Sequence, residues 1–163
     1  MTKIAIRPMV LEGLSGAVRE RVSKLASWKL SDVARRAQKR CGWSDYERRA
    51  IERAYRRFLT IIAIDPEKSY GMVNGPIDEF WHEHLIHTMD YEQMCREVFG
   101  RTIHHCPLGT GAVSESTKPM YVCATLPALR RVFGVRAGRL WPANEDSSAT
   151  AKCCGHIGAH LAG

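Results

Sequence analysis

Five of the seven histidines in this 163-residue chain fall between Ile77 and Pro107, in the run IDEFWHEHLIHTMDYEQMCREVFGRTIHHCP, together with Asp78, Tyr91, Cys95 and Cys106. Imidazole, thiolate and carboxylate are the side chains that hold borderline transition metals, so this density points to a transition-metal site. A helix started by Pro76 and stopped by Gly100 would sort these groups onto distinct faces. At about 100° per residue, Ile77, Phe80, Trp81, His84, Thr88, Tyr91, Cys95, Val98 and Phe99 share a broad apolar side, and Asp78 and His82 lie elsewhere with Leu85 and Met89.

His82 and His84 are two apart and point away from each other, so a regular helix cannot bring both to one ion. Two pairs compete: Asp78 with His82, and His84 with His87. Either pair fills two positions and needs a third donor, which His104 and His105, just past Gly100, are placed to supply by folding back. One carboxylate and two imidazoles would leave positions open for water, oxygen or substrate, the pattern of a catalytic site. The structural alternative is that His84 is a buried histidine bonded to Thr88 or Tyr91, and that Asp78 caps the helix and orients His82.

A second cluster, Cys153, Cys154, His156 and His160, lies near the C-terminus. Adjacent cysteines seldom chelate one ion, and no CxxC knuckle is present, so a tail with incidental metal affinity weighs as much as a structural zinc site. Cys41 and Cys123 are isolated and read as small core residues.

The elements that must position these groups read as helical almost throughout. In Ser44 to Ile64 the apolar Ile51, Ala54, Tyr55, Phe58 and Ile62 recur at three and four, and Ser44 with Glu47 forms a capping box. Asp65-Pro66 ends that helix. Leu14 to Leu25 and Leu30 to Arg40 read as shorter helices, the second closed by Cys41-Gly42. The central helix is expected to run unbroken from Pro76 to Phe99, and a last one from about Lys118 to Phe133 with Pro127 as a kink or break. No strand-like alternation persists. The expectation is an all-α single compact domain of about five helices, bundle-like, over residues 1–142, with an irregular, dispensable Cys/His-containing tail over 143–163.

Length and composition suit one globular domain. No apolar run approaches the ~18 residues of a membrane span and no secretory signal is legible, so the expected location is cytoplasmic, with reduced thiols. From Arg19 to Arg57 there are thirteen Lys/Arg against five Asp/Glu. Such a stripe could meet a weak anionic partner or nucleic acid. The better reading is the solvated face of an amphipathic helix, with Arg48, Arg49, Arg53, Arg56 and Arg57 pointing to water. No GxxxxGKS or GxGxxG loop supports nucleotide binding.

In Asp78, Trp81, His82, Thr88, Tyr91, Cys95, Gly100, His104, His105 and Pro107 the chain resembles the glycine-rich-domain-protein-like family, with weaker echoes extending over residues 44–142. Family members often carry a Cys-rich tail; the glycine-rich region is absent here, and Pro127 departs from the pattern. The resemblance implies a helical domain and no established reaction. It also implies Asp78, His82 and His105 as the ligands, with His104 as a substitute. The resulting expectation is a protein binding one transition metal ion (iron, zinc or copper), a metal-dependent enzyme of oxidoreductase or biosynthetic tailoring type acting on a small-molecule substrate, with Tyr91 or His84 as nearby proton donor. The alternative is a non-catalytic binding module whose histidines are structural and whose basic helices dock a partner.

Overall fold

Ser44 accepts from the Glu47 amide while the Glu47 carboxylate accepts from the Ser44 amide, and this reciprocal cap starts the longest helix of the fold, Asp45–Ile64. The computed structural model describes residues 6–105, 120–136, 138–142 and, as backbone, 153–156. Seven helices occur among them: α1 Pro8–Glu12, α2 Gly16–Ser27, α3 Ser31–Cys41, α4 Asp45–Ile64, α5 Pro76–Ile86, α6 Thr88–Met94 and α7 Leu126–Phe133. Two π-helical turns join this framework, Cys95–Phe99 continuing α6 and Tyr121–Thr125 leading into α7. The fold is thus predominantly helical. Among the described residues no helix is long and apolar enough to cross a membrane.

The core forms around α4, whose Tyr55, Phe58, Leu59, Ile62 and Ala63 are fully buried. Helices α2, α3, α5 and α7 pack on it. Phe58 meets Trp81 at 5.2 Å between ring centroids, and Tyr55 meets Phe80 at 5.1 Å, which fixes α5 against the middle of α4. The last expected helix is divided just before Pro127, into the π-turn Tyr121–Thr125 and α7. Pro127 occupies the first turn of α7, where its missing N–H is no loss.

Three expectations are corrected. The chain is not free of strands: Tyr70–Val73 (β1) pairs antiparallel with Cys153–His156 (β2), Tyr70 opposite His156 and Val73 opposite Cys153. Within the tail, Cys153–His156 thus forms a short ladder with β1; residues 143–152 and 157–163 lie outside the described residues. Whether Cys153, Cys154, His156 and His160 gather their side chains lies outside the described residues. The pairing was hidden because the partners are some eighty residues apart and β2 has too few alternating positions to register as a strand.

The central helix is not continuous either. It breaks at His87, which has φ −81° and ψ 61° and serves as the last cap of α5 and the first of α6. The His87 ring replaces part of the lost helix bonding, its Nδ1 lying 2.8 Å from the Glu83 carbonyl oxygen. The break shifts the register, so Thr88 is exposed instead of lying on the apolar side.

The basic stripe is only partly a solvated face. Arg49 and Arg53 are exposed, but Arg56 is buried. Its guanidinium donates to the carbonyls of Leu25 and Trp28, at 3.1 and 2.8 Å, and to Glu52 at 2.9 and 3.0 Å, closing the C-terminal end of α2. Arg36 and Arg40 reach across to Glu83 on α5 at 2.9 Å each, and the Glu83 side chain is only 1% exposed. These arginines fasten helices together.

Candidate metal centre

Pro76 opens α5, so Asp78 sits in its first turn, where a carboxylate is favoured by the positive end of the helix dipole. His82 follows one turn later on the same face. Beyond the break at His87, the chain runs through α6 and the π-turn to Gly100, whose left-handed φ of 69° turns it back. Ile103 then plugs the core and His105 arrives beside Asp78.

Asp78, His82 and His105 each offer a donor atom, all within 4.8 Å of one another. His105 Nε2 lies 3.0 Å from Asp78 Oδ1, and His82 Nδ1 lies 3.5 Å from Asp78 Oδ2. Two donors on one ion, with bonds of about 2.1 Å, sit roughly 3 to 3.5 Å apart, and each carboxylate–imidazole separation falls in that range, through Oδ1 for His105 and Oδ2 for His82. The two imidazole rings stand 4.4 Å apart. Asp78 and His105 are buried at the side chain, while His82 is 41% exposed. The group is a half-open, carboxylate-centred set of three donors that could hold a metal, and it is the group of this kind found among the described residues.

Trp81 and Tyr91 hold the third donor in place. The edge of Trp81 packs against the His105 ring at 4.4 Å. Trp81 Nε1 donates to the Tyr91 hydroxyl at 3.2 Å, and that hydroxyl donates in turn to the Ile103 carbonyl, two residues before His105. Burial pushes the Tyr91 hydroxyl's pKa well up, so it stays a neutral donor. Tyr91→Phe would leave a buried N–H and a buried carbonyl without partners, and the expected loss is about 2 kcal/mol of stability. Thermal or urea denaturation checks this; an unchanged midpoint would mean that the clasp contributes nothing.

His84 lies on the opposite side of α5, fully buried. Its Nε2 is 2.9 Å from Asp90 Oδ2 and its Nδ1 is 2.9 Å from the Tyr55 hydroxyl. Asp90 also accepts from Trp28 Nε1 at 3.2 Å. The bond from His84 holds the Asp90 carboxyl below its usual range, and burial lowers the His84 imidazole despite Asp90 beside it. Ionised Asp90 therefore takes the Nε2 proton's hydrogen bond, and Nδ1 accepts from Tyr55. The partners of His84 are thus Tyr55 and Asp90, not Thr88; Tyr91 meets it only ring to ring, at 5.0 Å.

The sequence-predicted residues divide accordingly. Asp78, His82 and His105 are brought together; His104 is exposed and outside the group; His84 and His87 join no group of three among the described residues. Tyr91, the expected proton donor, lies inside the clasp, its hydroxyl engaged by Trp81 and Ile103. Asp90, Tyr55, Trp28 and Glu83 were missed as polar partners. Asp90 alone carried a local signal, a carboxylate six residues past His84, which an assumed unbroken helix would have turned away.

No curated protein and no solved structure shows significant similarity to the chain. The resemblance to the glycine-rich-domain-protein-like family does not stand, because the family whose model matches is a different one. That match takes in α3, α4 and the whole Asp78, His82 and His105 group, covers more than half of the chain, and names no reaction. On this match over residues 19–119, the chain belongs to the UCP032817-like family.

Proposed function

We propose that this protein is a metal-dependent enzyme that holds one transition-metal ion between Asp78, His82 and His105 and acts on a small molecule at the positions left open. The observation that carries the reading is the convergence of three donors from two separate elements to within 4.8 Å. One carboxylate and two imidazoles suit iron(II) or zinc better than copper(I), which prefers sulfur. With iron the chemistry is oxidoreductive; with zinc it is activation of bound water. Substrate approaches along the exposed edge of His82, since Asp78 and His105 are covered. Tyr91 and His84 serve this centre by position rather than by proton transfer, because the hydroxyl of the first and both ring nitrogens of the second are engaged in buried hydrogen bonds.

The rival reading also has a specific observation behind it. The two Asp78 oxygens face different imidazoles, so the carboxylate could be a hydrogen-bond hub that ties the His105 segment to α5 in a non-catalytic binding module. Docking of an anionic partner on the basic helices would be weak and salt-sensitive in that case, since Arg36, Arg40 and Arg56 are committed internally. Titration with cobalt(II) and zinc separates the two. The enzyme reading expects saturable binding of one equivalent, weakened by about 100-fold or more in His82→Ala, with stability changed by less than about 1 kcal/mol because the side chain is half exposed. If the wild-type chain takes up neither ion, the hub reading stands instead.

A further inference from the structure

Between α4 and the turn that follows α7 lies a cleft of about 440 Å³, lined among others by Arg57, Phe133, Arg136, Arg139, Leu140 and Trp141. It shares no residue with the Asp78 group and falls in the size range of small-molecule pockets, roughly 300 to 1,000 Å³. Three of its lining residues are arginines and none is acidic. Arg139 has Glu47 at 3.4 Å, but that contact is on the surface, with the arginine side chain 82% exposed. Arg57 has another cation, Arg53, for a charged neighbour, and burial and Arg53 both weaken its hold on its proton.

Two donors of the lining residues are buried without a hydrogen-bond partner: Arg57 Nε and Trp141 Nε1. Trp141 is only 4% exposed, so water does not readily serve its N–H. Buried polar groups are nearly always paired, and leaving one unpaired costs about 1 to 3 kcal/mol. Two such donors belong to residues that line one cation-rich cleft, and a small shift of these side chains toward it would let an acceptor-bearing ligand satisfy them. The cleft is also shaped to keep them there. The Gly138 and Trp141 amides and carbonyls bond each other at 2.9 and 3.0 Å, closing the turn that sets Trp141, and the Arg57 guanidinium lies over the Phe133 ring at 5.5 Å.

We propose that this cleft binds a small organic oxyanion, a carboxylate or phosphate monoester on an apolar or aromatic body, whose oxygens accept from Arg57 Nε and Trp141 Nε1 while the body lies against Phe133 and Leu140. Guanidinium and indole N–H groups are complementary to oxyanions, and the apolar walls favour an organic anion over a bare inorganic one. The proposal is independent of the metal reading.

Calorimetric titration of the full chain at low salt with benzoate, phenyl phosphate and inorganic phosphate tests it. One of the two aromatic anions is expected to bind saturably at one per chain and at least about tenfold more tightly than inorganic phosphate; which one it is assigns the head group. Arg57→Gln should weaken that binding by about tenfold or more, and Trp141→Phe, which removes the N–H but keeps an aromatic ring, by about fivefold. Arg35→Gln, a surface change elsewhere, should leave it unaltered. Should Arg57→Gln fail to fold, Trp141→Phe decides. The proposal is overturned if none of the three anions saturates the protein, if inorganic phosphate binds as well as the aromatic anions, or if Trp141→Phe binds like the wild type.

Discussion

Asp78→Ala is expected to abolish specific metal binding and to destabilise the fold by about 3 kcal/mol, since it removes the only carboxylate of the donor set and strips a buried histidine of its charged partner. The size of the second effect follows from burial. The Asp78 and His105 side chains are 2% and 3% exposed, so the orphaned imidazole nitrogen has little water to turn to. Asp78 also lies in the first turn of α5, where loss of its charge forfeits a favourable dipole interaction of about 0.5 kcal/mol. Asp78→Asn separates the two consequences. It keeps an acceptor oxygen for His105, so stability should fall by only about 1 kcal/mol, while metal affinity should still drop steeply because the anionic ligand is gone. Denaturant midpoints and cobalt titrations of both variants check the pair. A full-strength site in Asp78→Asn would show that the carboxylate is not a ligand.

Arg56→Ala is expected to cost about 3 to 5 kcal/mol, the largest stability effect of any single arginine change in the chain. The guanidinium satisfies the Leu25 and Trp28 carbonyls at the end of α2 and neutralises Glu52, whose side chain is itself mostly buried. Its removal leaves the Trp28 carbonyl without its side-chain donor, takes one of two donors from the Leu25 carbonyl, and leaves Glu52 with only the longer Arg48 contact at 3.8 Å in the α2–α4 interface. Arg49→Ala and Arg53→Ala, both on the exposed side of the same helix, should change stability by less than about 0.5 kcal/mol. Urea denaturation of the three variants is the check, and equal midpoints would mean that Arg56 is no more than surface charge. Arg56→Lys should rescue little, because an ammonium cannot reach two carbonyls and a carboxylate from one plane.

The parts of this fold that were legible in the sequence are those decided locally. Ser44 and Glu47 announce the start of α4 through their own reciprocal bonding, Gly42 and Gly100 supply the left-handed turns that end their helices, and Asp78 with His82 share a face because they are four apart. The hidden parts depend on partners distant in sequence. Nothing near Arg56 reveals that its side chain crosses to α2, and nothing near His84 reveals Tyr55, 29 residues earlier. His87 is a different failure. It breaks the helix without glycine or proline, its ring reinforcing at 2.8 Å a Glu83 carbonyl that its own amide reaches only at 3.4 Å, and a periodicity argument reads straight through it. The same break moves Asp90 next to His84 and lets Tyr91 clasp Ile103, which is what carries His105 back to Asp78.

The most direct test of the metal centre is the metal content of the untagged chain purified from metal-replete cells, read by native mass spectrometry and elemental analysis, with His105→Ala alongside. The account predicts close to one equivalent of iron or zinc in the wild-type chain, none in the variant, and a melting temperature that rises when metal is restored to the stripped protein. A wild-type chain that carries no metal, and whose melting temperature is unmoved by added iron or zinc, would contradict it.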